Sequence, residues 1–411
     1  MTYKLKTAII VFFIMLLVFI VLMFRAELKN IESLKEDYPD LNNAIYDYRV
    51  DLLKAWAVRL FISFAVPLLI LTSGTSQKIS IFAQNGHSLF VSGIIYGLIF
   101  FGIMFLVNLP INYYSSYYIG HKYGLSNQTL LRWLELNIKS FLVNDALISL
   151  FIFIPFMIIY KSPNMWWFNL WLISIPVVIF IVFISPFVID PIFNNYRPLE
   201  DGLLKEEITE ILEKADLEDA SIMVVDKSKD TKAMNAYMTG IFSAKRIVLW
   251  DNTIDNLETK EVVSITAHEI GHYVKGHIWK NILFGIAGTF VILYLLNVSA
   301  SWILKESKGA FGFRNMTNLA IIPLFIILIN LFNFLGSPIQ NHLSREFERQ
   351  ADRFEISLTQ DRLSAVSALK KLNQNNLSLP RASKFYEFWY YSHPSLEERI
   401  EFYMTEDFEE I

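Results

Sequence analysis

The chain has 411 residues, no cysteine and a net charge of −4. Disulfides, thiolate metal ligands and thiolate nucleophiles are thereby excluded, and so small a charge argues against a nucleic acid or an acidic substrate as partner. With 54% hydrophobic residues and a mean hydropathy of +0.37, the sequence is too apolar for an ordinary soluble protein.

Apolar runs approach the ~20 residues needed to cross a bilayer. The first, 7–24, follows Lys4 and Lys6 as a signal peptide would. Bulky Val21-Leu22-Met23-Phe24 offers no small-residue cleavage site, so a retained membrane helix is expected. Runs 55–71 and 89–106 come next. Run 146–160 is short and holds Pro155, so it either spans or re-enters. Run 166–189 opens with Trp166, Trp167 and Trp171, the placement of an interfacial aromatic belt. Pro67 and Pro176 would kink their helices, which a bundle tolerates.

A polar region then runs from about 190 to 281. Residues 203–215 read as an amphipathic helix with Leu204, Ile208, Ile211 and Leu212 on one face. Strands are expected at 221–225 and 246–250, with a turn or edge strand at 235–240 between them. The segment 259–275 should be a helix carrying His268-Glu269-Ile270-Gly271-His272. On a helix, His268 and His272 share one face and their ring nitrogens can hold one zinc ion, with Glu269 beside it to handle a proton. Two histidines do not complete a catalytic zinc site, so a third protein ligand must come from elsewhere.

Runs 282–303 and 319–335 follow, bringing the count of apolar runs to seven, or six if 146–160 re-enters. After them Gly336-Ser337-Pro338 can cap and start a new helix, continuing to Asp352. Glu348 and Asp352 share a face of that helix. On spacing alone, a charged solvent-facing helix with Arg/Glu pairs is an equally good reading. His393 stands in Ser392-His393-Pro394, where an ordinary turn and cap account for it as well as a site does. Asn235 is similarly open, since turn asparagines are common.

Lysines and arginines concentrate between the first two runs and between the third and fourth. The positive-inside rule therefore places those loops, the HExxH segment and the C-terminus in the cytoplasm, although Lys4 and Lys6 count against that orientation.

The sequence resembles the integral-membrane zinc metallopeptidases typified by the type I CAAX prenyl protease. The matching motifs, in order, are Asn235-Ala236-Tyr237, then His268-Glu269-Ile270-Gly271-His272 with trailing Gly276-His277, then Ser344-Arg345-Glu346-Phe347-Glu348-Arg349-Gln350-Ala351-Asp352, and last Ser392-His393-Pro394-Ser395-Leu396 with Glu398-Arg399-Ile400 following. The loop Tyr123-Gly124-Leu125-Ser126 and the Trp166-Trp167 pair also fit.

The resemblance implies an α-helical polytopic membrane protein of about seven transmembrane helices around an intramembrane chamber. A mainly α, gluzincin-like catalytic domain with a small β-sheet would close it. Residues 1–189 would form the membrane domain, and 190–411 the peptidase domain with two further spans at about 282–303 and 319–335. It further implies His268, His272 and Glu348 as ligands of one Zn2+ per chain and Glu269 as the catalytic carboxylate. Asp352 would accept a hydrogen bond that orients a ligand histidine, and Asn235 and His393 would line the cleft.

His277 falls outside metzincin spacing and reads as a supporting residue; His87, His121 and His342 read as non-ligands. The segment 407–411 carries no dilysine retrieval signal, which points to a prokaryotic inner membrane rather than the endoplasmic reticulum.

The chemistry expected is attack of a zinc-activated water on a peptide carbonyl, with Glu269 as base and then acid and His393 as a donor to the developing oxyanion. Substrates would be membrane-associated, prenylated CAAX-type or misfolded polypeptides. A membrane chaperone or translocation quality-control factor with incidental proteolysis is the competing reading. A metal transporter would need ionisable residues within the spans, which hold almost none beyond Arg59.

Overall fold

A computed structural model describes residues 1–240 and 245–406; the segment 407–411, which lacks a dilysine signal, lies outside the described residues. Among the described residues seven helices are long and apolar enough to cross a membrane: Tyr3–Asp37, Asn43–Thr72, Leu89–Lys122, Leu130–Lys161, Trp166–Phe193, His277–Ser307 and Leu319–Thr359. Large apolar side chains such as Ile14, Met15, Leu69, Phe180 and Leu283 stand exposed on their outer faces. Continuous apolar surface of this extent is unfavourable in water and marks a lipid-facing wall.

The short run at 146–160 is the end of a 32-residue helical stretch, long enough to span rather than re-enter. The tryptophans of the fifth span do not form a belt. Trp166 is buried, stacks on Phe325 and donates its indole N–H to Asn297 Oδ1 at 2.8 Å, while Trp171 donates to the Ile286 carbonyl at 2.9 Å. An indole N–H inside hydrocarbon needs an acceptor, and the sixth span supplies both.

The expected helix start at Ser337-Pro338 is also corrected. Helix Ile322–Thr359 runs unbroken through Pro338. Proline removes the N–H that would have reached the Phe334 carbonyl, and the Ser337 hydroxyl donates to that carbonyl instead, at 2.9 Å. The seventh span therefore leaves the membrane without a break and carries Glu348 and Asp352 on its extension.

The polar part holds a four-stranded sheet in the order β1 (Tyr196–Pro198), β2 (Ser221–Val225), β4 (Arg246–Trp250), β3 (Ala236–Thr239). β2 and β4 pair in parallel, and β1 and β3 are antiparallel edges. The stretch at 235–240 is thus an edge strand. β1 has no sequence signature, being three residues that end in proline. Helix Leu203–Lys214 places Ile208, Ile211 and Leu212 in a core with Ile247, Leu249, Val262 and Ile270. Phe354 and Leu358 of the seventh helix join the same core, so the two polar regions fold together.

Helix Thr259–Val274 begins in a capping box between Glu258 and Glu261. It crosses the extension of the seventh helix at Gly271, where a Cβ would lie 3.1 Å from the Ala351 Cα and carbonyl oxygen and from the Phe354 Cβ. Only a hydrogen fits without displacing backbone. Gly276, with φ +67°, then ends this helix and lets the sixth span start at the next residue, His277.

Gly271→Val should force the two helices apart. The expected result is a lower thermal midpoint and metal lost on dialysis against a weak chelator, with Gly271→Ala intermediate. Wild-type metal retention in the valine variant would show that this close approach does not set the site.

Candidate active site

Because Thr259–Val274 is helical, His268 and His272 stack one turn apart, Nε2 to Nε2 at 3.1 Å. Glu348 reaches them from the seventh helix, with its carboxylate oxygens 3.3 Å from His268 Nε2 and 3.3 Å from His272 Nε2. Donors at about 2.0–2.1 Å from a tetrahedral zinc ion lie about 3.3 Å from one another, and each histidine nitrogen stands at that distance from one oxygen of the Glu348 carboxylate, Oε2 for His268 and Oε1 for His272.

The hydrogen bonds behind each histidine decide which nitrogen is bare. His268 Nδ1 lies 2.9 Å from Asp352 Oδ1, so its proton is on Nδ1 and Nε2 keeps its lone pair. Asp352 is in turn held by both arms of Arg399, with Nε at 3.0 Å from Oδ2, and by the Tyr403 hydroxyl at 2.8 Å. Tyr403 also contacts Glu355, which accepts from Ser264.

On the other side, Lys280 donates to Gln350 Oε1 at 3.3 Å, which marks that atom as the amide oxygen. His277 must then donate to it through Nε2, at 3.1 Å. Its Nδ1 therefore accepts from His272 Nδ1 at 2.9 Å, and His272 Nε2 is left unprotonated. Two bare nitrogens and a carboxylate facing one point repel unless a cation lies between them.

A second acidic trio, His268, Asp352 and Glu355, lies equally close together. Its carboxylates are already occupied by Arg399, Tyr403 and Ser264, whereas Glu348 Oε2 is buried without a hydrogen bond. An orphaned buried carboxylate oxygen is costly, and coordination of a metal is the contact that would satisfy it. Charge points the same way. Burial disfavours a charged His268 ring, yet the negative carboxylates of Asp352, Glu348 and Glu355 around it outweigh that and raise its affinity for a proton well above the usual value. The pocket prefers positive charge at this point.

Glu269 is half-buried on the cleft wall and has no hydrogen-bond or ion-pair partner among the described residues. Burial pushes its carboxyl above the usual range, against the opposing pull of His268 and His272. Such a group is suited to take up and return a proton. Asn235, at the start of edge strand β3, and His393 line the same cleft of about 350 Å³. His393 Nε2 is 3.3 Å from Glu348 Oε1 and the ring is open to the cleft. Its loop is fastened by Arg345, which donates to the Tyr391 carbonyl at 2.6 Å, and by the Ser383 N–H, which donates to buried Glu27 of the first span at 2.9 Å.

The structure thus brings together His268, His272, Glu269, Glu348, Asp352, Asn235 and His393. His121, away from the cleft, bonds the Tyr117 and Gln128 carbonyls. Arg399, Tyr403, Glu355 and Gln350 carried no role in the sequence reading. The one available signal was periodicity: Glu348, Asp352 and Glu355 repeat on one helix face, as do Ser264, His268 and His272.

The chain is similar to known proteins along most of its length. Peptidase family M48 matches residues 198–406, and the CAAX prenyl protease N-terminal region of five membrane helices matches residues 39–195. The chain is 30% identical over 374 residues to the Bacillus subtilis protein described as uncharacterized metalloprotease YhfN, covering 90% of this chain and 84% of that one. It is 32% identical over 335 residues to CAAX prenyl protease 1 of Saccharomyces cerevisiae, covering 75% and 72%. The crystal structure of S. mikatae Ste24p superposes with a TM-score of 0.82 at 26% identity, over 94% of this chain and 96% of the other.

Gln350→Ala removes the acceptor that orders His277 and, through it, His272. Metal affinity measured by chelator competition should fall about 10- to 100-fold while the helical circular dichroism stays constant. Unchanged affinity would mean that His272 needs no such orientation.

Proposed function

This chain belongs to peptidase family M48, and from that premise we propose that its metal is zinc, one ion per chain held by His268, His272 and Glu348, with Glu269 as the catalytic carboxylate. It is a multi-pass membrane metalloendopeptidase acting on peptide or protein substrates. The observation that carries the site assignment is the convergence of His268 Nε2 and His272 Nε2, 3.1 Å apart, on the Glu348 carboxylate, each 3.3 Å from one of its oxygens, beside a carboxylate that burial keeps basic. The donor set of imidazole and carboxylate suits zinc.

When bound, the metal acidifies a water molecule and polarises the scissile carbonyl. Glu269 takes the proton of the attacking water and returns it to the leaving amine. His393 stands where an N–H can face the developing oxyanion, and edge strand β3 offers free backbone groups along which an extended substrate can lie, with Asn235 at its start. Asp352 and Arg399 hold the His268 ring in its productive tautomer.

On this reading residues 1–189 are the membrane region, and 190–411 are the peptidase region with the last two spans. The substrates are membrane-associated polypeptides, prenylated CAAX-type or misfolded, a reading supported by the yeast relative's name and by the site's position at the ends of the spans. The Bacillus relative supports a bacterial cytoplasmic membrane, and we place the site on its cytoplasmic side from the charges of the loops between the first and second and the third and fourth spans. A chaperone with incidental proteolysis is not favoured, because binding alone needs no basic Glu269 beside the ligand set.

Glu269→Gln should keep its metal and lose about 10²- to 10⁴-fold in kcat against both an unfolded casein-like substrate and a farnesylated CAAX peptide. Full turnover in that variant would sink the assignment, and the substrate that wild type prefers separates quality control from prenyl-protein processing. His393→Ala should retain metal content and lose about 10²- to 10³-fold in kcat with little change in KM. A change confined to KM would make His393 a substrate-binding residue instead.

A further inference from the structure

At the bilayer face opposite the candidate site lies a cavity of about 680 Å³ lined by Lys305, Lys308 and Arg314, by Ser301 and Asn315, and by Leu304 and Met316. It sits at the far end of the 31-residue sixth span, about 45 Å along the helix from His277. Lys308 and Gly309 adopt left-handed conformations, φ 51° and 80°, which end the span and turn the chain back. Arg314 then lies across Gly309, with its Nε 3.0 Å from where a Cβ would stand. Among the described residues none of the three cations has an ion-pair or hydrogen-bond partner.

Glu306, the neighbouring acid, is turned away to accept from the Thr2 hydroxyl at 2.6 Å. That bond, with the contacts of Ser80 on Asn318 and of Gln77 on Gly312, gathers the N-terminus, the loop after the second span and the loop after the sixth at one end. Within 1–10, 72–90, 160–166 and 304–319 the only acid is Glu306, against Lys4, Lys6, Lys78, Lys161 and the three cavity cations. In a chain of net charge −4, this end is strongly cationic. Solvated surface lysines are the ordinary explanation for exposed cations. Here, however, three line one cavity together with apolar Leu304 and Met316, just beyond Trp302, an exposed tryptophan of the kind that marks the headgroup level.

We infer that this cavity binds the phosphate headgroup of an anionic phospholipid in the leaflet opposite the metal centre, with Lys305, Lys308 and Arg314 as its counter-charges. Three cations without partners at the end of a membrane span, beside exposed apolar side chains such as Val298 and Trp302, match a phosphodiester carried on acyl chains better than a free ion.

The test is native mass spectrometry of the full-length protein in detergent, titrated with phosphatidylglycerol or phosphatidylcholine. Wild type should retain one phosphatidylglycerol more tightly than phosphatidylcholine. The triple variant Lys305→Gln, Lys308→Gln, Arg314→Gln should bind it about a hundredfold more weakly, at about fivefold per basic residue. The double variant Lys78→Gln, Lys161→Gln should behave as wild type, and peptide cleavage in detergent should be unaffected in all of them. If the triple variant fails to fold, Lys308→Gln alone should show the fivefold loss. Equal retention by wild type and cavity variants, or no preference between headgroups, would overturn the assignment. Displacement of the adduct by millimolar inorganic phosphate would assign the site to free phosphate and overturn the lipid.

Discussion

The crossing of helix Thr259–Val274 over the extension of the seventh span is the constraint on which the rest of the structure depends. At Gly271 the two backbones come as near as a missing side chain allows. One helix contributes two histidines on one face, the other three carboxylates on one face, and the close approach brings imidazole nitrogens to within 3.3 Å of Glu348. Burying Glu348, Asp352 and Glu355 beside one another is costly in itself. Arg399, Tyr403 and Ser264 offset the cost for two of them, and a bound cation is what remains for the third.

The membrane is part of this site rather than a tether for it. Gly276 joins the histidine-bearing helix directly to the sixth span, so that His277 opens a membrane helix and at the same time touches His272. The carboxylate-bearing helix is itself the seventh span prolonged, kept continuous at Pro338 by the Ser337 hydroxyl. Even the first span takes part: buried Glu27 pairs with Arg49 at 2.8 Å and accepts from Ser383, at the head of the helix Lys384–Tyr390 that leads to the His393 loop. Tilting of the spans would therefore act on the geometry of His268, His272 and Glu348 directly.

His268 and His272 are each oriented through Nδ1, but by different means. His268 is oriented by a carboxylate that Arg399 keeps ionised and in place; His272 is oriented by another histidine and a neutral amide. The first arrangement adds negative charge behind the ligand and strengthens its hold on a cation. The second fixes direction without adding charge, which limits the net charge buried in one cleft.

The local features were legible in the sequence because they depend on periodicity. Apolar runs of bilayer length, the helix that puts His268 and His272 on one face, and the strands 221–225 and 246–250 all follow from short-range patterns that burial enforces. Glu348, Asp352, Asn235 and His393 were read through resemblance, since their own spacing also suits a solvated helix or a turn. Two local signals misled. Ser337-Pro338 has the chemistry of a helix start, and only the placement of the Ser337 hydroxyl on the Phe334 carbonyl makes it a helix interior. Trp166 has the position of an interfacial anchor, and only the approach of Asn297 from a distant span turns it inward. Gln350 and Arg399 fall within the matched motifs and Tyr403 outside them, but no spacing names what any of the three does. Their roles arise from contacts between segments far apart in the chain, and such contacts exist only after packing has chosen which faces meet.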